Sequence, residues 1–129
     1  MKPLIQVGDF RLNSGVSSDW HINVEAFDRN TLHALARISS PLVTPFGGVI
    51  GVPSGGLAFA EMLRPFATPG NRTTLVVDDV WTTGASMRGM VKEWNWESYK
   101  GLVIFARGPL QPWCTSIFSA NPRIGLTIP

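Results

Sequence analysis

Two adjacent carboxylates, Asp78 and Asp79, stand between an apolar run, Leu75–Val77, and a turn of small residues. The turn consists of Thr82, Thr83, Gly84, Ala85 and Ser86. The apolar run is typical of a strand buried on both faces of a parallel sheet, where ligands bind beyond the carboxyl ends of the strands. Hydroxyls and approachable backbone N–H groups at the start of a helix favour an anion. The pattern therefore predicts a phosphate on the turn and ribose hydroxyls on the carboxylates.

Two other interpretations of the acidic pair have to be considered. Receiver domains that accept a phosphoryl group also carry acids at a strand end, and many strands end in a solvated Asp without any function. A receiver places its acids after an early strand, and nothing in it requires the segment Thr82–Ser86. The direct succession of acids and turn favours the site for a phosphorylated sugar.

A second strand-turn-helix unit precedes the acidic pair. Phe46–Val52 has the composition of a buried strand with glycines near both ends, and Leu57–Leu63 that of a helix closed by Pro65. The turn between them consists of Pro53, Ser54, Gly55 and Gly56. Glycine allows a backbone to present N–H groups without interference from side chains. A turn of this kind is often only structural, so by itself it indicates an anion site weakly.

The remaining elements predict an α/β protein with an open, mainly parallel sheet flanked by helices. After the acidic motif, an apolar stripe predicts a helix packed on the sheet. Its members are Met87, Met90, Val91 and Trp94. Gly101–Ala106 predicts a buried strand that ends beside Arg107, Cys114–Phe118 a terminal strand, and residues 124–128 a short edge strand or tail.

The first third of the chain predicts a small antiparallel pair followed by a helix. Residues 8–15 alternate and then turn, and Trp20–Val24 has strand composition. A helix over Thr31–Ile38 is expected to begin at Asp28 or Asn30, both of which can cap it. The whole chain is expected to be one domain, with an N-terminal segment over 1–27 and an α/β core over 28–129.

Composition limits the classes of function. The formal net charge of the 129 residues is +2, with Lys and Arg scattered singly, so no basic stripe indicates a nucleic-acid partner. The uncharged stretch Ile38–Ala60 contains three prolines and five glycines, which is incompatible with a membrane span. Cys114, the only cysteine, is expected to be a buried thiol, and no spacing of Cys and His indicates a metal site. Without a visible secretion signal, the chain is expected in the cytoplasm.

The segment Thr73–Ser86 resembles the phosphoribosyl pyrophosphate (PRPP) signature of the type I phosphoribosyltransferases. The resemblance implies that Asp78 and Asp79 form the catalytic acidic pair, which binds the ribose 2′ and 3′ hydroxyls, and that Thr82–Ser86 holds the 5′-phosphate. It also assigns Pro53–Gly56 to the pyrophosphate loop. Mg²⁺ is implied as a cofactor carried by PRPP near the two acids, without direct ligation by the protein. A homodimer is implied as well.

Within this family, the chain resembles the orotate phosphoribosyltransferases. The opening segment Gly8–Leu12, with Ser14, Gly15 and Ser18, is similar to the hood that covers the base in those enzymes. The positions implied to contact the base are Thr82, Arg107, His21 and Ile22. A guanidinium suits a base that bears a carboxylate, although Arg107 has an equally simple interpretation as a solvated strand end. The implied reaction transfers ribose 5-phosphate from PRPP to orotate or a similar pyrimidine, a step of pyrimidine nucleotide biosynthesis, and releases pyrophosphate.

The chain departs from the family at the leaving-group side of the site. Asn13 and Gly55 occupy the places of lysines, and Pro65–Arg72 is too short for the two strands and the basic catalytic loop that the family inserts there. Arg64 and Arg72 flank the shortened connection and are the nearest basic substitutes. These departures leave an alternative function open, a non-catalytic protein that binds PRPP or a nucleotide. A protein-interaction scaffold with a relic site is a third possibility.

Overall fold

A computed structural model describes residues 5–11, 17–22, 27–94, 98–121 and 125–127. The strands are β1 (Ile5–Arg11), β2 (Ser17–Ile22), β3 (Gly48–Gly51), β4 (Thr74–Trp81), β5 (Tyr99–Ala106), β6 (Cys114–Asn121) and β7 (Gly125–Thr127). The helices are α1 (Arg29–Val43), α2 (Gly56–Leu63), which continues into a short 3₁₀ turn over Arg64–Phe66, and α3 (Ala85–Trp94).

Five strands form one sheet in the order β3-β4-β5-β6-β7. The first four are parallel, and β7 runs antiparallel to β6. β1 and β2 form a separate antiparallel pair, in which Ile5 lies opposite Ile22. The predicted architecture, a mainly parallel sheet preceded by a small antiparallel element, is confirmed.

Each face of the sheet has its own apolar core. On the first face, α1 and α2 cover Leu75 and Val77 of β4 together with Leu102 and Ile104 of β5. On the second face, α3 inserts Met87 against Val76, Val103 and Cys114. Because side chains alternate along a strand, a run of apolar residues in β4 and β5 fills both cores.

The two crossovers in the first half of the sheet have opposite hands. β3 connects to β4 through α2, and β4 connects to β5 through α3, so both connections step to the next strand in the same direction. α2 packs on the first face and α3 on the second. Two parallel crossovers that step the same way over opposite faces cannot both be right-handed, which is the strongly preferred hand.

Helix α1 is longer than the sequence predicts. It begins after Asp28, whose Oδ1 accepts a hydrogen bond from the Thr31 N–H at 2.7 Å, and that bond lowers the pKa of the carboxyl. It then continues through Pro41 to Val43 instead of stopping at Ile38. Proline cannot donate to the carbonyl of residue 37. The Ser40 Oγ donates to that carbonyl at 3.3 Å, which helps the helix to pass the proline.

The prediction for Trp94 is wrong. Met87 of α3 is buried, Met90 and Val91 are half-buried, and the Trp94 side chain is 59% exposed. Burial falls steadily along the stripe, so α3 diverges from the sheet towards its carboxyl end. Among the described residues, no helix combines the length and the apolar character needed to cross a membrane.

Candidate functional site

The acidic pair lies inside β4 and not beyond it, because the strand continues past both aspartates to Trp81. Side chains of a regular strand alternate between the two faces of the sheet, and next to the aspartates this alternation shifts by one residue. Val77 faces the first core, as expected, but Val80 also packs against the first core and Trp81 against the second. The Asp79 N–H donates to the Asp78 Oδ1 at 2.8 Å, and the Val80 N–H donates to the Asp79 Oδ1 at 2.7 Å. Each carboxylate thus accepts a hydrogen bond from the N–H of the next residue, at the place where the alternation changes.

Asp78 is the more buried of the two acids, with 8% of its surface exposed. Burial, reinforced by the hydrogen bond and the negative charge of Asp79, raises the pKa of Asp78 to about 8. The pKa of Cys114 rises to about 12, because the thiol is buried and lies near the charge of Asp78. Cys114 is therefore a buried thiol, as predicted, and Asp78 is largely protonated at neutral pH.

Asp79 lies against the turn that follows β3. A Cβ atom built on Gly55 would overlap the Asp79 Oδ2 and would come within 2.5 Å of its Cγ. The peptide bond between Pro53 and Ser54 is cis, and the Gly56 N–H donates to the Val52 carbonyl at 2.8 Å as α2 begins. The structure therefore brings together the acidic pair and Pro53–Gly56, which are more than 20 residues apart in the sequence.

The turn Thr82–Ser86 follows β4 directly and leads into α3 at Ala85. Gly84 has a φ of 79°, a conformation that favours glycine, and a Cβ on it would overlap the ring of Trp81. The Ala85 N–H donates to the Thr83 Oγ1 at 3.4 Å. This turn is thus shaped by a left-handed glycine that lies against an aromatic ring.

Trp81 is a functional candidate that the sequence interpretation missed. Its ring is buried beneath Gly84, its Nε1 donates to the Pro109 carbonyl at 3.0 Å, and its centroid lies 5.7 Å from that of Trp113 in an edge-to-face contact. Trp81 therefore connects the turn after β4 to the loop after β5. A bulky aromatic three residues before a turn glycine is the sequence signal that could have drawn attention to it.

Arg107 lies beside this turn at the end of β5. Its N–H donates to the Trp81 carbonyl at 2.7 Å, and the next residue, Gly108, approaches the Thr82 carbonyl so closely that a Cβ would lie 2.7 Å from the oxygen. Arg107 is only 4% exposed, so its interpretation as a solvated strand end is wrong. Thr82 and Arg107 are thus brought together.

Other predicted contacts with a base fall on the N-terminal pair. His21 and Ile22 lie on β2, opposite Gln6 and Ile5, and only their backbone pairing is described. The hood positions Asn13, Ser14 and Gly15 lie outside the described residues.

Arg64 and Arg72 are not part of the site, contrary to their selection as basic substitutes. Helix α2 starts at the carboxyl edge of the sheet and runs back, so that its end and the following connection lie at the amino edge. There the Arg64 guanidinium donates to the Val49 carbonyl at 3.2 Å and pairs with Glu61 at 2.9 Å. Arg72 stands two residues before the start of β4. Both side chains therefore belong to the edge opposite the acidic pair.

In the described part of the chain, no three His, Cys, Asp or Glu side chains converge. Asp79 supplies a hard carboxylate oxygen, the ligand type that Mg²⁺ accepts alongside phosphate oxygens. The residues present therefore fit a metal that arrives with a phosphorylated ligand.

Several solved structures share this fold. Orotate phosphoribosyltransferase from Aeropyrum pernix is 28% identical, with a TM-score of 0.65, over 81% of this chain and 76% of that one. The Mycobacterium tuberculosis H37Rv orotate phosphoribosyltransferase is 17% identical, with a TM-score of 0.57, over 80% and 77%. Leishmania donovani UMP synthase is 14% identical, with a TM-score of 0.65, over 90% of this chain and 33% of that one. The sequence matches no protein-family model and no curated protein.

Proposed function

Because this chain has the type I phosphoribosyltransferase fold, we propose that it transfers the ribose 5-phosphate group of PRPP to a nucleobase, with orotate or a similar pyrimidine as acceptor. The observation that carries the proposal is the position of Asp79, which lies against the turn Pro53–Gly56 and stands three residues before the turn Thr82–Ser86; each turn opens a helix. Such a pair of turns suits the 5′-phosphate and the pyrophosphate of PRPP, and the nearby carboxylate suits its ribose.

The proposed roles follow from the surroundings of each residue. Thr82–Ser86 would hold the 5′-phosphate, and Pro53–Gly56 would face the pyrophosphate. Asp79 is the more accessible acid and would accept hydrogen bonds from ribose hydroxyls, while the protonated Asp78 would support it from the buried side. The acid pair thus combines one accessible and one buried carboxyl group.

The transfer itself is a substitution at the anomeric carbon of the ribose. A nitrogen of the base forms a bond to this carbon as it gives up its proton, and the bond to pyrophosphate breaks with its electron pair on the leaving oxygen. PRPP would bring Mg²⁺, whose charge offsets that of the pyrophosphate. Asp79, held at 2.7 Å by the Val80 N–H, would keep the ribose in place while charge develops at the carbon.

The acceptor is proposed from the position of Arg107. A buried guanidinium next to Thr82 suits a planar base that bears a carboxylate, because the two groups can form a bidentate pair. We propose that the base lies beside this strand end, and that His21 and Ile22 of the N-terminal pair contact it. The homodimer and the cytoplasmic location remain predictions, the first of which light scattering would test.

A second function, binding of PRPP or a nucleotide without transfer, is favoured by one specific observation. The basic residues nearest in sequence to the first turn, Arg64 and Arg72, lie at the opposite edge of the sheet, and Gly55 carries no charge. Charge on a leaving pyrophosphate would thus receive little help from the described side chains around Pro53–Gly56.

Release of pyrophosphate separates the two functions. The chain would be mixed with PRPP, Mg²⁺ and either orotate, uracil or a purine base, and pyrophosphate and nucleotide would be measured together. Transfer predicts both products in equal amounts, with orotate preferred, and their loss in the double variant Asp78→Asn, Asp79→Asn. Binding of PRPP without either product would support the second function, and absence of binding would contradict both.

A further inference from the structure

The two oxygens of the Asp79 carboxylate have different neighbours. Oδ1 accepts the Val80 N–H at 2.7 Å, and Oδ2 lies against the backbone of Gly55. A Cβ on Gly55 would overlap Oδ2, and it would stand 2.5 Å from the Asp79 Cγ and 3.0 Å from Oδ1. The carboxylate therefore occupies the space that a side chain at position 55 would need.

A side chain at position 55 would displace the Asp79 carboxylate but would leave the backbone fold unchanged. Gly55 has a φ of −66° and a ψ of −28°, which every residue adopts without strain. Its crowding comes from the end of one short side chain. By contrast, a Cβ on the neighbouring Gly56 would lie 2.5 Å from the Val77 carbonyl oxygen, and backbone cannot move aside as easily. The relief at position 55 is a rotation of Asp79, which breaks its bond to Val80.

From this geometry we infer that Gly55 is a positioning residue for ribose recognition, because its bare backbone allows the Asp79 carboxylate to lie between the turn Pro53–Gly56 and its own strand. The inference rests on the proposed function, in which Asp79 binds ribose hydroxyls. It assigns to Gly55 a purpose other than presenting an N–H group to a phosphate. A lysine or any other side chain at this position is incompatible with the observed place of Asp79.

The test compares Gly55→Ala with Gly48→Ala. Gly48 lies on β3, in the same strand-turn unit, and a Cβ there would meet nothing within 4 Å, so it is a matched control. Calorimetry would measure the affinity of uridine 5′-monophosphate and of its 2′,3′-dideoxy analogue. The wild-type chain and Gly48→Ala are expected to prefer the ribonucleotide by about tenfold or more, the effect of a hydrogen bond to a charged group. Gly55→Ala is expected to lose this preference while its affinity for the dideoxy analogue stays the same.

A double-variant cycle identifies Asp79 as the residue through which position 55 acts. In an Asp79→Ala background, Gly55→Ala is expected to cause no further loss of ribonucleotide affinity, because the displaced group is already absent. An equal loss in both backgrounds would overturn the inference, and so would an unchanged preference in Gly55→Ala.

The amide resonance of Val80 gives a readout that needs no ligand. Loss of its bond to Asp79 should move this resonance upfield in Gly55→Ala and leave it in place in Gly48→Ala; no movement in Gly55→Ala would overturn the inference. If the wild-type chain binds neither these nucleotides nor PRPP, the proposed function fails, and the Val80 resonance still decides whether Gly55 positions Asp79. If nucleotides bind and the resonance does not move, the inference alone fails.

Discussion

The turns Pro53–Gly56 and Thr82–Ser86 occupy equivalent places after neighbouring strands, but they are stabilised differently. The second turn lies on the buried ring of Trp81, and its Gly84 has a left-handed backbone. Three residues of the first turn, Pro53, Ser54 and Gly55, are exposed, and Gly55 lies against the carboxylate of Asp79. One turn therefore packs on a buried aromatic ring, and the other lies against an ionisable side chain.

The two aspartates differ in burial and in their neighbours. Asp78 is buried on the same face as Trp81, with Cys114 nearby, whereas Asp79 is more accessible and contacts the first turn. Two adjacent carboxylates of one strand therefore differ in their surroundings, with one side chain in the packed interior and the other at an accessible turn.

The largest expected effect comes from disturbing the packed turn. Gly84→Ala combines a disfavoured φ with overlap against the Trp81 ring, and it should lower the free energy of unfolding by about 2 to 5 kcal/mol. Gly70→Ala is the matched control, because Gly70 has a φ of 82° with open space around it, and it should cost only about 1 to 2 kcal/mol. Urea unfolding measures both. Equal losses would show that the ring does not restrict the turn.

The support from Trp81 can be tested with a smaller change. Trp81→Phe keeps an aromatic ring but removes the bond from Nε1 to the Pro109 carbonyl, and it should lower the free energy of unfolding by about 1 to 2 kcal/mol. Affinity for ribose 5-phosphate should fall as well, because the turn above the ring loosens. Trp113→Phe, which changes the edge contacts of Trp113 with Trp81 and Tyr99 but keeps the bond from Trp81 to Pro109, should preserve that affinity. A loss of affinity in both variants would contradict a specific role for Trp81.

The raised pKa of Asp78 predicts a pH dependence of stability. The pKa of Asp78 is raised from an ordinary 3.8 to about 8, so the folded state holds more protons than the unfolded state between these values. Stability should therefore fall as pH rises from about 4 to about 8, by at most about 1.4 kcal/mol per pH unit, and then level off. In Asp78→Asn this decline should disappear. Urea unfolding at pH 5, 6.5 and 8 measures the decline. An identical decline in Asp78→Asn would show that another group causes it.

The smallest effect is expected at the amino edge of the sheet. Arg64→Gln removes a surface ion pair and a bond to the Val49 carbonyl, so it should cost less than about 1 kcal/mol of stability and leave the affinity for PRPP unchanged. Arg107→Gln, at the carboxyl edge, should reduce the affinity for a nucleotide of orotate. A clear loss of PRPP affinity in Arg64→Gln would mean that Arg64, at the amino edge of the sheet, supplies positive charge to the turn Pro53–Gly56.

The fold class and the grouping of the two turns could be predicted from the sequence because their signals are local. Buried runs such as Leu75–Val77 and Gly101–Ala106 indicate parallel strands wherever they occur, and Gly-rich turns at helix starts mark the carboxyl edge of the sheet. The burial of Cys114 could be predicted because a lone cysteine without a disulfide partner or metal-ligand spacing is usually a buried thiol. These features need no knowledge of distant contacts.

Other features depend on tertiary contacts that no local pattern contains. The continuation of β4 to Trp81 comes from pairing with β5, where Trp81 lies opposite Ala106. The passage of α1 through Pro41 depends on a serine bond and on burial of Val43. The contact between Gly55 and Asp79 joins two segments through the sheet. The local sequence predicts that α1 ends at Ile38, and it contains no signal for the contact between Gly55 and Asp79.

The opposite hands of the two crossovers bear on the origin of this chain. A tandem duplication copies a strand-turn-helix unit together with its hand, so two copies would place their helices on the same face. Because α2 and α3 lie on different faces, β3-α2 and β4-α3 do not descend from one repeated unit by duplication alone. The small residues that both turns share are therefore no evidence of a common ancestor of the two units.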